Sequence, residues 1–265
     1  MTVPPAEDAL VPDWLAYVLA PFIGSFMGVL IRRLPADLPI GNARSRCDHC
    51  GTRLGVRDLV PLLSWLANRG RCRHCGKPIG EFYPLVELAA LGVALWAGTI
   101  DVGAALWLDC LLGWTLVTLA WIDAEHLLLP DVLTLPLILA GLGAAWVLEW
   151  PPIVDAAAGA SVGYVVFRLV ALAYRQIRGR EGLGAGDAKL LAVAGAWLGW
   201  QALGDVVLGG ALAGLLWYFI ARPANTATEN LAADAAPGPV ELPFGPALAV
   251  AIWVVRLYGP FLGLF

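Results

Sequence analysis

Two aspartates stand where the residues around them raise a chemical question. Asp187 ends the stretch Gly182-Leu183-Gly184-Ala185-Gly186-Asp187 and is followed by Ala188-Lys189-Leu190 and an apolar run. Glycine at this density lets a backbone take unusual angles and lets another chain come close, which an ordinary surface turn rarely requires. A simpler role is open to Asp187 as a cap on the helix that follows. Asp123 lies in Trp121-Ile122-Asp123-Ala124-Glu125-His126, at the end of an apolar segment. The helix dipole disfavours an acid there, so something outside that helix should account for it. If the two carboxylates meet, neither ionises freely beside the other and they share one proton. One of them can then take a proton from water while the other gives one to a polarised carbonyl.

A second group of residues has metal-ligand spacing. Cys47-Asp48-His49-Cys50 and Cys72-Arg73-His74-Cys75 are two C-x-x-C pairs, each followed by glycine, Gly51 or Gly76. Four thiolates so spaced close a tetrahedral zinc site with no open position, which makes the metal structural. Disulfides are the alternative, disfavoured where the compartment is reducing. His49 and His74 are expected beside the metal or in solvent, not bound to it. Cys110 lies inside an apolar span and is expected only to pack.

These residues must be positioned by membrane helices. Of the 265 residues, 59% are hydrophobic and 14% charged, with mean hydropathy +0.73. Soluble domains carry about 25% charged residues, so an all-α, polytopic membrane protein is expected. Hydropathy gives eight spans, at roughly 14–31, 84–100, 103–122, 131–149, 153–174, 188–203, 205–221 and 245–262. No Lys or Arg precedes the first span, so it is expected to be a retained helix and not a cleaved signal. Ten of the 17 Lys and Arg lie between Arg32 and Lys77 and four more between Arg175 and Lys189. With the amino terminus outside, the loops 32–83, 123–130, 175–187 and 222–244 face the cytoplasm and hold all the loop cations. The organisation expected is a first membrane helix over 1–31, a small cytoplasmic zinc ribbon over 32–83 and a membrane domain over 84–265. Residues 223–243, rich in Ala, Pro, Thr and Asn, are expected to form a mobile loop. Glu87 falls one turn inside the second span, where an acid is a functional candidate, and Asp109 falls inside the third, where helix packing explains it better. Asp131, after Pro130, is expected in the first turn of a helix, where the dipole favours it.

Taken in order, several short motifs resemble one known family, the type IV prepilin peptidases (leader peptidase/N-methyltransferases). They are Gly24-Ser25-Phe26, Arg33-Leu34-Pro35, the two C-x-x-C pairs, Leu59-Val60-Pro61-Leu62-Leu63-Ser64-Trp65, Tyr83-Pro84-Leu85-Val86-Glu87, Ile122-Asp123, Leu129-Pro130-Asp131, Gly184-x-Gly186-Asp187 and Pro243-Phe244-Gly245-Pro246. The resemblance implies a GxGD-type membrane aspartic endopeptidase of the bacterial inner membrane with Asp123 and Asp187 as its catalytic pair, supported by Gly184, Gly186, Lys189 and Glu87. It implies cleavage of the basic leader of prepilins or pseudopilins after Gly at the cytoplasmic face. It further implies methylation of the new amino terminus with S-adenosylmethionine, where Glu87 would contact the amine. Lipid and, indirectly, pilus or secretion machinery are the other implied partners, and no nucleic acid is. The chain departs from the family where relatives read Gly-Ser-Phe-Leu-Asn-Val and it has Met27-Gly28, and where Leu88-Ala89-Ala90-Leu91 follows Glu87. Three rival readings are a transporter, a non-catalytic assembly factor and a methyltransferase with a vestigial peptidase site, the last opposed by intact Asp123 and Asp187. A transporter predicts midplane acids and repeated halves, and a non-catalytic, zinc-containing assembly factor predicts tolerance of Asp187→Asn.

Overall fold

A computed structural model describes residues 11–41, 45–47, 49–179, 184–221 and 243–261. The expected loop at 223–243, except its last residue, and Gly182, Leu183, Arg180 and Asp48 lie outside the described residues. Among the described residues the regular elements are helical, apart from two isolated bridges in the cysteine loop, Arg46 with Arg53 and Arg71 with Pro78. The helices are α1 (Trp14–Arg33), the short α2 (Leu63–Ala67), α3 (Phe82–Ala97), α4 (Gly103–His126), α5 (Asp131–Leu148), α6 (Ile153–Arg178), α7 (Ala185–Leu198), α8 (Leu203–Ala221) and α9 (Gly245–Tyr258). Each of the eight expected spans coincides with a helix. Five of them, α1, α4, α5, α6 and α8, are long and apolar enough to cross a bilayer, and α3 and α9 are shorter apolar helices. The chain divides into two compact units, Met1–Ile122 and Asp123–Phe265.

In the first unit α1 packs on α3. The approach is close because Gly24 faces α3 without a side chain: a Cβ there would lie 2.6 Å from Glu87 Cα. Gly28 does the same for an aromatic ring, since a Cβ would lie 2.8 Å from Tyr83 Cδ1. The space beside Gly28 is therefore filled by Tyr83. Asp13 precedes α1 and accepts a hydrogen bond from the Gly103 amide (2.9 Å), tying the starts of α1 and α4. Trp114 of α4 donates to Ala90 O of α3 (2.9 Å). At the other end of α1, Arg32 stacks over the Phe82 ring at 3.9 Å, and Phe82 meets Trp121 edge to face.

In the second unit α7 is the helix that the others enclose, packing on α5, α6, α8 and α9. Its residues Leu190 to Trp197 are buried, and a helix apolar on all sides is stable only inside such a layer. Fourteen residues span about 21 Å, less than the roughly 30 Å of a hydrocarbon core. The α6 and α7 backbones nearly touch. A Cβ on Gly163 would lie 2.7 Å from Leu191 O, one on Gly159 the same distance from Gly195 O, and one on Gly195 would run into the Gly159 backbone. Small residues of this kind let membrane helices pack by van der Waals contact alone. Trp197 fixes α7 to α5, donating to Leu137 O (2.9 Å) with its ring against Gly141. Outward faces of α6 and α8, including Val165, Leu169, Leu212 and Leu216, are exposed and apolar, as lipid contact requires.

The α6–α7 contact gives a direct test. Gly195→Val should destabilise the second unit by about 1–3 kcal/mol or more, read as a lower unfolding temperature in detergent. Gly143→Val, where a Cβ meets nothing within 4 Å, should leave that temperature unchanged.

Candidate active site

Asp187 occupies the first turn of α7 and is 6% exposed. Its Oδ2 accepts the Gly184 amide (3.2 Å), so the side chain reaches back over its own helix start as in half a capping box. The capping role open to it in the sequence is thus real. It is not the whole of the environment, because the Asp123 carboxylate lies close enough for its charge to act on Asp187. Gly186 makes room beside it: a Cβ there would sit 3.0 Å from Leu129 Cβ and Cδ1.

Asp123 lies in the last turn of α4 and is also 6% exposed. The helix's own end disfavours the charge, and the compensation comes from α9. The Gly245 amide, at the first residue of α9, donates to Asp123 Oδ2 at 2.8 Å in a buried contact. Two short helices therefore start at the two acids, each offering one backbone N–H to one carboxylate. Such donors are among those left unpaired at a helix start, and the dipole favours an anion beside them.

Lys189, two residues further along α7, pairs with Asp131 at the start of α5. The structure makes Pro130 the cap and Asp131 the first helical residue, so the acid stands in the first turn as expected. The pair is partly exposed, so it orients the two helix starts and adds little stability.

Glu87 has partners of its own. It lies in the first unit, 6% exposed, with Oε2 accepting the Leu62 amide (2.8 Å) and a further hydrogen bond to the Ser25 side chain. Leu62 has φ +58°, a conformation costly for a residue with a branched side chain, and the carboxylate helps to hold it there. Sequence reading named Glu87 but not this partner, because contacts 25 residues apart leave no local pattern. Glu87→Leu should orphan the Leu62 N–H at a cost of about 1–3 kcal/mol, seen as faster proteolysis in the cysteine loop. Glu87→Gln, which keeps an acceptor, should resist cleavage like wild type.

The four cysteine sulfurs lie within 4.8 Å of one another, with Cys47 Sγ and Cys75 Sγ 3.9 Å apart. A tetrahedron of thiolates with zinc–sulfur bonds near 2.3 Å has edges of about 3.8 Å, so the cluster fits that ion. The two halves repeat one another. Gly51 N donates to Cys47 O and Gly76 N to Cys72 O, both at 2.8 Å. Gly51 and Gly76 take φ +68° and +70°, the left-handed turn that only glycine adopts cheaply. Without a cation the sulfurs conflict. The Thr52 side chain and amide draw the Cys50 thiol down to about 6. Cys75, although the Lys77 amide favours its thiolate, is pushed up to about 11 by desolvation and its sulfur neighbours. A divalent cation removes the conflict by favouring all four thiolates. His74 faces Asp58 (3.9 Å), which also pairs with Arg73 at 3.3 Å, so Asp58 braces the second pair. Cys110 and Asp109 are fully buried in α4.

Comparison with known proteins covers nearly the whole chain. The family described as Bacterial Peptidase A24 N-terminal domain matches residues 18–99, and the Type IV leader peptidase family matches residues 110–219. A prepilin leader peptidase/N-methyltransferase of Aeromonas hydrophila is 39% identical over 92% of this chain and 90% of its own length. Proteins of the same name from Dickeya chrysanthemi (41% identical, 77% and 82% covered) and Pseudomonas aeruginosa (36%, 96% and 95%) are also similar. No solved structure matches. The chain belongs to the type IV leader peptidase family, and with five helices of spanning length it is a multi-pass membrane protein.

Proposed function

We propose, from membership of the type IV leader peptidase family, that this protein is a membrane aspartic endopeptidase. It removes the basic leader of prepilins or pseudopilins after a Gly and then methylates the new amino terminus. Asp123 and Asp187 form the catalytic pair and face the cytoplasm in the inner membrane. The observation that carries the peptidase reading is the placement of two buried carboxylates within electrostatic reach, each with Oδ2 held by a backbone amide.

The remaining oxygens, Oδ1 of each aspartate, perform the chemistry. The pair holds one proton. The ionised member takes a proton from water as the water oxygen attacks the scissile carbonyl, and the protonated member donates to the carbonyl oxygen. The tetrahedral intermediate collapses with cleavage of the C–N bond, and a proton passes to the leaving amine. No covalent enzyme intermediate forms. A substrate with a charged leader and an apolar helix suits acids at helix ends, because the leader stays in water while the helix stays in lipid. Arg175, expected in a loop, lies instead in the last turns of α6, which precedes this end of α7 in the chain.

The cysteine cluster holds zinc, which supplies no catalysis and fixes the fold of the loop. S-adenosylmethionine supplies the methyl group. Glu87, engaged by Leu62 and Ser25, fits a role in shaping the first unit that accompanies methylation. Glu87→Gln with cleavage kept and methylation lost would support a direct contact with the amine; methylation unchanged in that variant removes it.

The test is made on the substrate. Purified protein in proteoliposomes receives a prepilin-like peptide whose basic leader ends in Gly ahead of an apolar helix. Mass spectrometry should show one cut after that Gly and, with S-adenosylmethionine, the mass of a methyl group replacing one hydrogen on the new amino terminus. Replacing the Gly before the cut by Leu should stop cleavage. No product from the Gly substrate, or equal cleavage of the Leu substrate, overturns the assignment.

A further inference from the structure

We infer that Gly245 is a positioning residue for the peptidase reaction, its backbone N–H holding Asp123 in register with Asp187 and its missing side chain being the space the carboxylate occupies. The inference rests on the peptidase reading above and assigns a role to a residue on a third helix. Both parts of it are geometric. The amide lies 2.8 Å from Asp123 Oδ2, across 122 positions of sequence and inside a buried contact. A Cβ at position 245 would stand 2.6 Å from Oδ2, 2.8 Å from Asp123 Cγ and 3.1 Å from its Cβ. Real Cβ atoms do not approach this closely, so any other residue at 245 displaces the Asp123 carboxylate from the position at which the amide holds it.

Gly245 opens α9, and the next residue, Pro246, has no N–H to offer. The amide of Leu248 is already spent on Phe244 O. The Gly245 donor is thus one of the few in this helix start without a partner inside the helix, and Asp123 supplies the partner. Asp187 differs, because its amide partner, Gly184, is local to its own helix. Among the described residues the amide that holds Asp187 comes from the start of its own helix α7, whereas the one that holds Asp123 depends on α9 being seated.

The test separates the donor from the space. Gly245→Ala adds the Cβ and keeps the N–H. Replacement of Gly245 by glycolic acid in cell-free translation turns the amide into an ester, exchanging the N–H for an oxygen and adding no side chain. Gly214→Ala serves as a control for packing between α8 and α9, since a Cβ there meets the Phe244 ring and Ala247 Cβ at an ordinary 3.7 Å. Gly245→Ala should lower kcat for leader cleavage roughly 100-fold with KM changed less than about twofold. The ester should lower kcat about 10-fold or more, also with KM kept, and Gly214→Ala should behave as wild type. If Gly245→Ala fails to insert, the ester decides. An ester protein with wild-type kcat, alongside an inactive Asp123→Asn, overturns this inference and leaves the peptidase reading intact. An active Asp123→Asn overturns the peptidase reading itself.

Discussion

Asp187→Asn should abolish leader cleavage, lowering kcat by on the order of 1,000- to 10,000-fold, and should at the same time make the protein harder to unfold. The two effects have one cause. In the native chain two buried carboxylates act on each other, and burial of such a pair is a strain that function keeps and stability opposes. Asparagine has the same shape, its carbonyl oxygen can still accept the Gly184 amide, and it removes the repulsion. A rise in unfolding temperature of about 2–4 °C, with cleavage lost, is therefore expected by thermal unfolding in detergent beside a cleavage assay. A fall in unfolding temperature would show that Asp187 acts mainly as a helix cap.

The second large effect concerns the cysteine loop. Cys72 is the buried member of the four, and each pair turns on a glycine in the left-handed conformation. Little apolar packing supports this segment: Val56, Leu63 and Leu66 are exposed, and α2 is a single turn. Its fold should depend on the ion, because apparent binding energies of structural zinc are about 10–16 kcal/mol in small metal-dependent modules. Cys72→Ser, or a strong chelator, should release one zinc per chain, measured by elemental analysis, and should expose residues 45–80 to protease. The long helices of the second unit should stay resistant. A loop that kept its protease resistance after complete metal loss would contradict the structural role.

Much of this was legible in the sequence, for reasons particular residues make clear. Membrane helices announce themselves by length and apolarity, and all eight expected spans proved helical. The exact count of crossings was less legible: α3, α7 and α9 are short, and hydropathy does not register that α7 survives by being enclosed. The cysteine cluster was readable because its ligands come in two local pairs, each with its glycine. Asp187 and Asp123 could be singled out one at a time, the first by its glycines and the second by standing against a helix dipole. What answers Asp123 was not readable, since the Gly245 amide reaches it from 122 residues away. The one available sign was a glycine placed just before a proline at the start of a helix, in Phe244-Gly245-Pro246. Gly195 was hidden in the same way, being an ordinary glycine in an apolar run until the facing backbone is known.

The central claim is that Asp123 and Asp187 work as one unit. The measurement that tests it most directly is single-turnover cleavage of a prepilin-like substrate in proteoliposomes by wild type, Asp123→Asn, Asp187→Asn and the double variant, with insertion of each checked by its thermal unfolding. Groups that share one proton fail together, so each single variant should fall to the same residual rate as the double. Wild-type cleavage by either single variant, or losses that multiply in the double, would contradict the account.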